Sequence, residues 1–271
     1  MGMTKQFKPR TGGRGIEWCD VTWNPVGGCQ HGCRWQMPDG TIAICYAEEV
    51  ANNLAMAAYP NGFEDHYWRP HNLKSPKGQK VSQLIFCDSM SDLMGHWVPV
   101  NQRQQVFDVM DETLQHTYQM LTKAAPQLLK VERFPENLWV GVSSPPDFML
   151  ANESPLPLKA KEKMLQRTLD VLGEVEAKHG NITWLSVEPL SWDMAEIFTQ
   201  HDHTPDWIVI GAATNGRKKF QPDSAHTAAM LEYCDERGIP VFFKGNLDWS
   251  HRREDFPVPP SPYDAAVRRR Q

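Results

Sequence analysis

Three cysteines stand close together near the start of the chain, in Gly27-Gly28-Cys29-Gln30-His31-Gly32-Cys33 and in Cys45-Tyr46-Ala47-Glu48. Their pattern, C-x3-C-x11-C, places three thiols within 17 residues, with glycines beside the first two. Thiolates are the preferred protein ligands of iron–sulfur clusters, and three of them leave one iron of a four-iron cluster without a protein ligand. Such an iron is a place for chemistry. Two plainer readings stand beside it. A structural zinc site would use the same thiols plus a fourth donor. His31 is the nearest candidate, although a residue between two ligands is poorly placed to reach their metal. The other reading is ordinary thiols without a metal.

For the three thiols to meet, Cys45 must return to Cys33. The residues between them run Arg34-Trp35-Gln36-Met37-Pro38-Asp39-Gly40-Thr41-Ile42-Ala43-Ile44. Pro-Asp-Gly is a strong turn signal, and the flanking segments can pair, so a small hairpin is predicted. Residues 46–58 read as a helix ended by Tyr59-Pro60-Asn61-Gly62. Ahead of the cysteines, residues 16–26 suit a first short strand that Asn24-Pro25 turns into the loop. Cys19, Cys87 and Cys234 are scattered and read as small buried hydrophobes, Cys87 being notable because it ends an apolar run.

Beyond the loop one theme repeats. Short apolar runs at 82–87, 116–121, 138–142, 183–187, 207–210 and 239–243 alternate with helical patterns, clearest at 99–114, 157–179 and 226–237. Short apolar strands separated by helices indicate parallel β/α units. About seven such strands in a chain of this length predict an α/β fold, a TIM-like partial (β/α) barrel. Sites in such barrels lie at the C-terminal ends of the strands. Those ends carry Asp88, Ser89, Asp92, Lys123, Ser143, Ser144, Glu188 and Lys244, on the face where the first loop carries the cysteines.

Hydrophobic content of 41% and aromatic content of 10% suit a folded core rather than a disordered chain. A formal net charge of -5 argues against a broad nucleic-acid surface, though not against a local basic groove. Lys5, Lys8 and Arg10 are not followed by an apolar leader segment, and no membrane-length apolar run occurs. A cytoplasmic protein with reduced thiols is expected. The organisation read from these features is a basic arm at 1–15, one barrel domain at 16–250 and a proline-rich, then basic tail at 251–271. The tryptophans are too widely spaced to form a box and are assigned to core or barrel rim, and the His66–His71 stretch to a loop over the barrel's edge.

Read together, the motifs resemble a known family. They are Trp23-Asn24-Pro25-Val26-Gly27-Gly28-Cys29, Cys45-Tyr46-Ala47-Glu48, Asp88-Ser89-Met90-Ser91-Asp92-Leu93, Trp139-Val140-Gly141-Val142-Ser143, Leu185-Ser186-Val187-Glu188-Pro189-Leu190, Asp206-Trp207-Ile208-Val209-Ile210-Gly211 and Pro240-Val241-Phe242-Phe243-Lys244. In this order, over roughly residues 16–247, they resemble the phage Gp37/Gp68 family (DUF5131-like), itself similar to radical S-adenosylmethionine (SAM) enzymes. The resemblance implies a partial barrel of the radical SAM type with a [4Fe-4S] cluster on Cys29, Cys33 and Cys45. SAM would chelate the open iron. One electron would cleave its sulfonium, and a 5′-deoxyadenosyl radical would take a substrate hydrogen. Implied partners are a reductant such as a flavodoxin or ferredoxin, a nucleotide or nucleic-acid base as substrate and a phage-encoded partner enzyme, with no membrane.

The SAM contacts implied are Asp88, Ser89 and Asp92 for the ammonium, Ser143 and Ser186 for carboxylate or ribose, Lys123 for an anionic group, Glu188 for SAM or substrate, and Gly211 beside adenine. Each has a plain alternative: a helix cap or turn for Asp88, Ser89 and Asp92, small packing residues for the serines, a surface lysine for Lys123 and for Lys244, and an ion-pair partner for Glu188. The sequence departs from the radical SAM pattern in its second cysteine gap, which is eleven residues rather than two. Asp88-Ser89-Met90-Ser91-Asp92 stands where a Gly-Gly-Glu would be, and Ala213 where many relatives have an acid.

Overall fold

The computed structural model describes residues 3–5, 15–145, 150–151 and 154–257. The expected basic arm and the tail beyond residue 257 lie largely outside the described residues. Seven short strands pair in parallel and in chain order: β1 (Val21–Trp23), β2 (Leu84–Cys87), β3 (Thr117–Thr122), β4 (Leu138–Ser143), β5 (Thr183–Val187), β6 (Trp207–Ile210) and β7 (Val241–Phe243). Met3–Lys5 adds an antiparallel edge beside β1. The sheet curls into a partial (β/α) barrel, as expected from the alternation of apolar runs and helices. Helix α1 (Tyr46–Asn53) lies between β1 and β2, α2 (Val100–Asp111) between β2 and β3, and α3 (Leu158–His179) between β4 and β5. A short α4 (Ala195–Gln200) and then α5 (Ser224–Arg237) follow β5 and β6. α1 is shorter than predicted: a separate 3-10 turn, Met56–Ala58, follows it, because Asn52-Asn53 are weak helix formers.

Side-chain alternation divides the sheet. Ile85, Tyr118, Met120, Val140, Leu185 and Ile208 face outward and pack against α2, α3 and α5 through Met110, Leu169 and Met230. The concave face is different. Trp18, Trp139, Trp184 and Trp207 join Phe86 and Phe242 in a second cluster, with ring centroids 5.1 Å apart for Trp18–Trp184 and 5.2 Å for Trp184–Trp207. Such aromatic contacts contribute about 0.5–1.5 kcal/mol each beyond burial. Widely spaced in sequence, these tryptophans come early in neighbouring strands and so meet as a plug in the N-terminal half of the barrel. Gly141 makes the room: a Cβ there would sit 2.2 Å from the Trp184 ring. The C-terminal half of the concave face is left with Ser143, Ser186 and Gly211, which are small.

The free edge of β7 is covered from the C-terminal side, where the Phe243 N–H donates to Arg253 O and the Asp255 N–H to Val241 O. Phe256 stacks on Trp207 at 5.3 Å, the Trp207 indole donates to Asp255 O, and Phe242 bridges Glu254. The barrel therefore continues past residue 250, where the tail was expected to begin, because these residues complete its aromatic interior.

Two hairpins cross the C-terminal end. Arg34–Gln36 pairs with Ile42–Ile44, as the Pro-Asp-Gly turn predicted. Ala213–Asn215 pairs with Lys218–Phe220, a hairpin the sequence reading missed. Met37, Ala43 and Ala213 pack together with Trp35 and Phe220, and Lys218 forms an ion pair with Asp39 at 2.9 Å. The clasp joins the loop after the first strand to the loop after the sixth. No helix among the described residues is long and apolar enough to cross a membrane.

Candidate metal centre

The thiol loop begins where Asn24-Pro25 ends β1, since proline cannot continue the ladder. Val26–Gly27 pairs briefly with Tyr67–Trp68. Gly28 then takes φ +82°, and a Cβ there would lie 1.7 Å from Asp65 O. The loop thus runs flush against residues 63–65, where the Cys29 N–H donates to Phe63 O at 2.8 Å. Cys33 and Cys45 flank the paired residues Arg34 and Ile44, and Cys45 is the N-cap of α1. Arg34 locks this junction. Its two terminal nitrogens donate to both oxygens of Glu48, at 2.7 and 2.8 Å, and one also donates to Cys33 O. The fork ties the hairpin to the first turn of α1.

The three thiols lie within electrostatic reach of one another. Burial pushes the Cys29 thiol up to about 12, opposed by the His31 backbone N–H that donates to its sulfur, with Asp92, Cys33 and Cys45 adding to the rise. Burial also raises Cys33, while Lys123 pulls it back. Cys29 and Cys33 in this setting hold their protons until a cation replaces them, so metal loading here would release protons. The donor set suits iron and sulfide: soft ligands, sheltered, at the C-terminal end of a β/α barrel. Among the described residues, no group of three His, Cys, Asp or Glu side chains is arranged to hold a metal ion. The His31 ring bonds Asp92 through Nε2 at 2.7 Å.

The stretch 88–92, read either as a SAM ammonium contact or as a cap and turn, packs against the thiol loop as its mould. Asp88, at φ 60°, accepts from the Val26 N–H on Oδ1. The Ser89 hydroxyl and the Met90 N–H both donate to Asn24 Oδ1. Met90 O accepts from the Gly28 N–H, and the Ser91 hydroxyl donates to Gly28 O at 2.7 Å. Asp92 Oδ2 accepts from His31 Nε2 at 2.7 Å, and from Thr122 Oγ1 and the Lys123 N–H at 2.9 Å each, while Oδ1 accepts from the Met94 N–H. Residue after residue, this loop grips the segment from Asn24 to His31. Burial raises the Asp88 carboxyl to about 8. For Asp92 burial acts upward too, but the bonds from His31, Lys123 and Thr122 outweigh it and hold the carboxyl low.

The remaining strand ends form two groups. Lys123, after β3, stands beside the thiols. Burial acts to lower its ammonium, and Cys33, Cys45, Asp92 and Cys29 together raise it. Across the sheet, the Ser186 hydroxyl donates to Glu188 Oε2 at 2.9 Å, and Glu188 Oε1 lies 2.9 Å from Lys244 Nζ. That ammonium sits off the carboxylate's hydrogen-bonding direction, so the contact is an ion pair rather than a good hydrogen bond. Ser143 is the register partner of Ser186. Gly211 is packed by Lys244, Asn246 and Glu188, whose nearest atoms lie 3.1–3.4 Å from where a Cβ would be. His31–Asp92, Arg34–Glu48 and the contacts of Asn24 and Asn246 join residues distant in the chain, which spacing alone does not reveal. The Glu48 of Cys45-Tyr46-Ala47-Glu48 was the visible signal for one of them.

The sequence profile of the family described as "Protein of unknown function (DUF5131)" matches residues 13–258. No curated protein matches the chain. Among solved structures, a radical SAM methyltransferase from Sphaerobacter thermophilus is 14% identical with a TM-score of 0.47, over 83% of this chain and 66% of that one. A spore photoproduct lyase complexed with dinucleoside spore photoproduct is 8% identical with a TM-score of 0.44, over 80% of this chain and 62% of that one. The chain thus spans less than two thirds of the lyase, and at these TM-scores the likenesses carry no argument about chemistry.

Proposed function

The chain belongs to the DUF5131 family, and from that premise we propose a radical SAM-type enzyme in which Cys29, Cys33 and Cys45 hold a [4Fe-4S] cluster with one iron open to SAM. When bound, cluster and SAM supply reductive cleavage of the sulfonium and hydrogen abstraction from a substrate. The observation that carries the reading is the hairpin register of Arg34 with Ile44, which returns Cys45 to Cys33 at the site end of the barrel.

The chain's own residues do the positioning. The mould at 88–92 and the Arg34–Glu48 fork hold the loop, and Lys123 sets a positive charge against the thiolates. The tryptophan plug closes the barrel from below, and the hairpin clasp covers part of the opposite end, so both restrict water. Glu188 and Lys244 offer an acceptor beside a donor. That pairing suits the edge of a nucleobase, and a nucleotide or nucleic-acid base is the proposed substrate class. A flavodoxin or ferredoxin in the cytoplasm would serve as reductant.

The test is anaerobic reconstitution with iron and sulfide. The expected product is brown protein with about four irons per chain, which releases 5′-deoxyadenosine when given SAM and dithionite. Colourless protein with one tightly held zinc would overturn the reading.

A further inference from the structure

The Asp92 carboxylate does more than complete a buried network. One of its oxygens, Oδ2, joins three parts of the site: the His31 ring between Cys29 and Cys33, the Thr122 hydroxyl at the end of β3, and the Lys123 N–H one residue further on. The other oxygen caps the Met94 N–H. Asp92 is 4% exposed, with four donors converging on its carboxylate. His31 is braced on its other side by Trp97, edge-on at 4.9 Å, and its backbone N–H donates to the Cys29 sulfur. A pull on the His31 ring is thereby a pull on the segment that carries two of the three thiols.

We infer that Asp92 is a positioning residue that, acting through His31, sets Cys29 and Cys33 relative to the Lys123 end of β3, so that the thiol loop is held in place before any metal arrives. The inference deepens the proposed function and rests on it for the cluster. Small metal sites commonly fold only on binding. Here the loop is already fastened at Val26, Gly28, Cys29 and His31 by bonds that need no metal.

Three variants separate the roles. His31→Ala removes the contact at a partly exposed position and should leave the barrel folded. His31→Gln keeps an N–H able to reach Asp92. Asp92→Asn is the harsher change, because three of the four donors would meet an amide. The experiment has two arms. In the first, the metal-free protein is alkylated and the rate at each cysteine is followed by mass spectrometry, with Cys234 as internal reference. Cys29 and Cys33 should react faster in His31→Ala and near the wild-type rate in His31→Gln. In the second, reconstituted proteins are compared by chelator-driven iron loss and by the electron paramagnetic resonance of the reduced cluster. Iron loss should be roughly 10- to 100-fold faster in His31→Ala and in Asp92→Asn, with a broadened, heterogeneous signal, and His31→Gln should restore both. Equal alkylation rates in wild type and His31→Ala would overturn the inference whether or not a cluster forms. Failure of the wild type to take up a cluster, with the alkylation difference intact, would instead overturn the proposed function alone.

Discussion

Arg34 and Ile44 are cross-strand partners, and for that reason Cys33 and Cys45 leave the same end of one hairpin although eleven residues separate them. The long gap in C-x3-C-x11-C is a detour, not a separation. Cys29→Ala, Cys33→Ala or Cys45→Ala should each lower reconstituted iron to near background. Cys234→Ala, deep in the outer core, should leave about four irons per chain. Iron analysis with visible absorption checks both halves, and iron retention in any of the first three would contradict the ligand assignment.

The fork from Arg34 to Glu48 is the hairpin's only link of its kind to the helix that Cys45 opens, among the described residues. Arg34→Ala should cost about 1–2 kcal/mol, between an exposed ion pair and a buried charge-assisted bond. Arg34→Lys should fail to restore it, since an ammonium cannot span both carboxylate oxygens. Urea denaturation, with iron content measured on the same samples, reads both effects.

Gly28 combines φ +82° with a neighbour 1.7 Å from where a Cβ would stand. The obstacle is the backbone oxygen of Asp65, which cannot swing aside as a side chain would. Gly28→Ala should therefore abolish iron loading and lower the melting temperature by several degrees. Gly32→Ala is the control: it has a positive φ as well, but open space around it, and should cost about 1 kcal/mol.

Asp88 links stability to pH. Its carboxyl holds a proton up to about 8 in the folded chain, against 3.8 ordinarily. Between those values the folded state binds more protons than the unfolded one, so stability falls as pH rises. The contribution is complete below the unfolded value and gone once pH passes the folded value. Asp88→Asn keeps an oxygen for the Val26 N–H, tolerates φ 60° and cannot ionise. Denaturation midpoints at pH 5 and pH 8.5 should differ less in the variant than in the wild type. Equal differences would show that the wild-type carboxyl is not protonated.

Much of this protein was legible in its sequence because the evidence is local. Apolar runs such as Thr183–Val187 and Trp207–Ile210 carry their own β signal, and the turn at Pro38-Asp39-Gly40 lies between segments that can only pair with each other. Parallel strands in chain order then put Asp92, Lys123, Glu188 and Lys244 on the face that bears the cysteines. What each of those residues does was decided by contacts between distant parts of the chain. Asp88, Ser89 and Asp92 had the composition of a ligand-binding loop, and only the fold, by laying residues 24–31 against them, turned them into a mould. The same holds for the tryptophans. At positions 18, 139, 184 and 207 they show no periodicity, yet the inward pleat of three successive strands and the chain ahead of β1 bring them to one plug. Spacing records which side chains share an element. It does not record which elements become neighbours, and in a barrel that neighbourhood separates residues that hold the site from residues left open to a ligand.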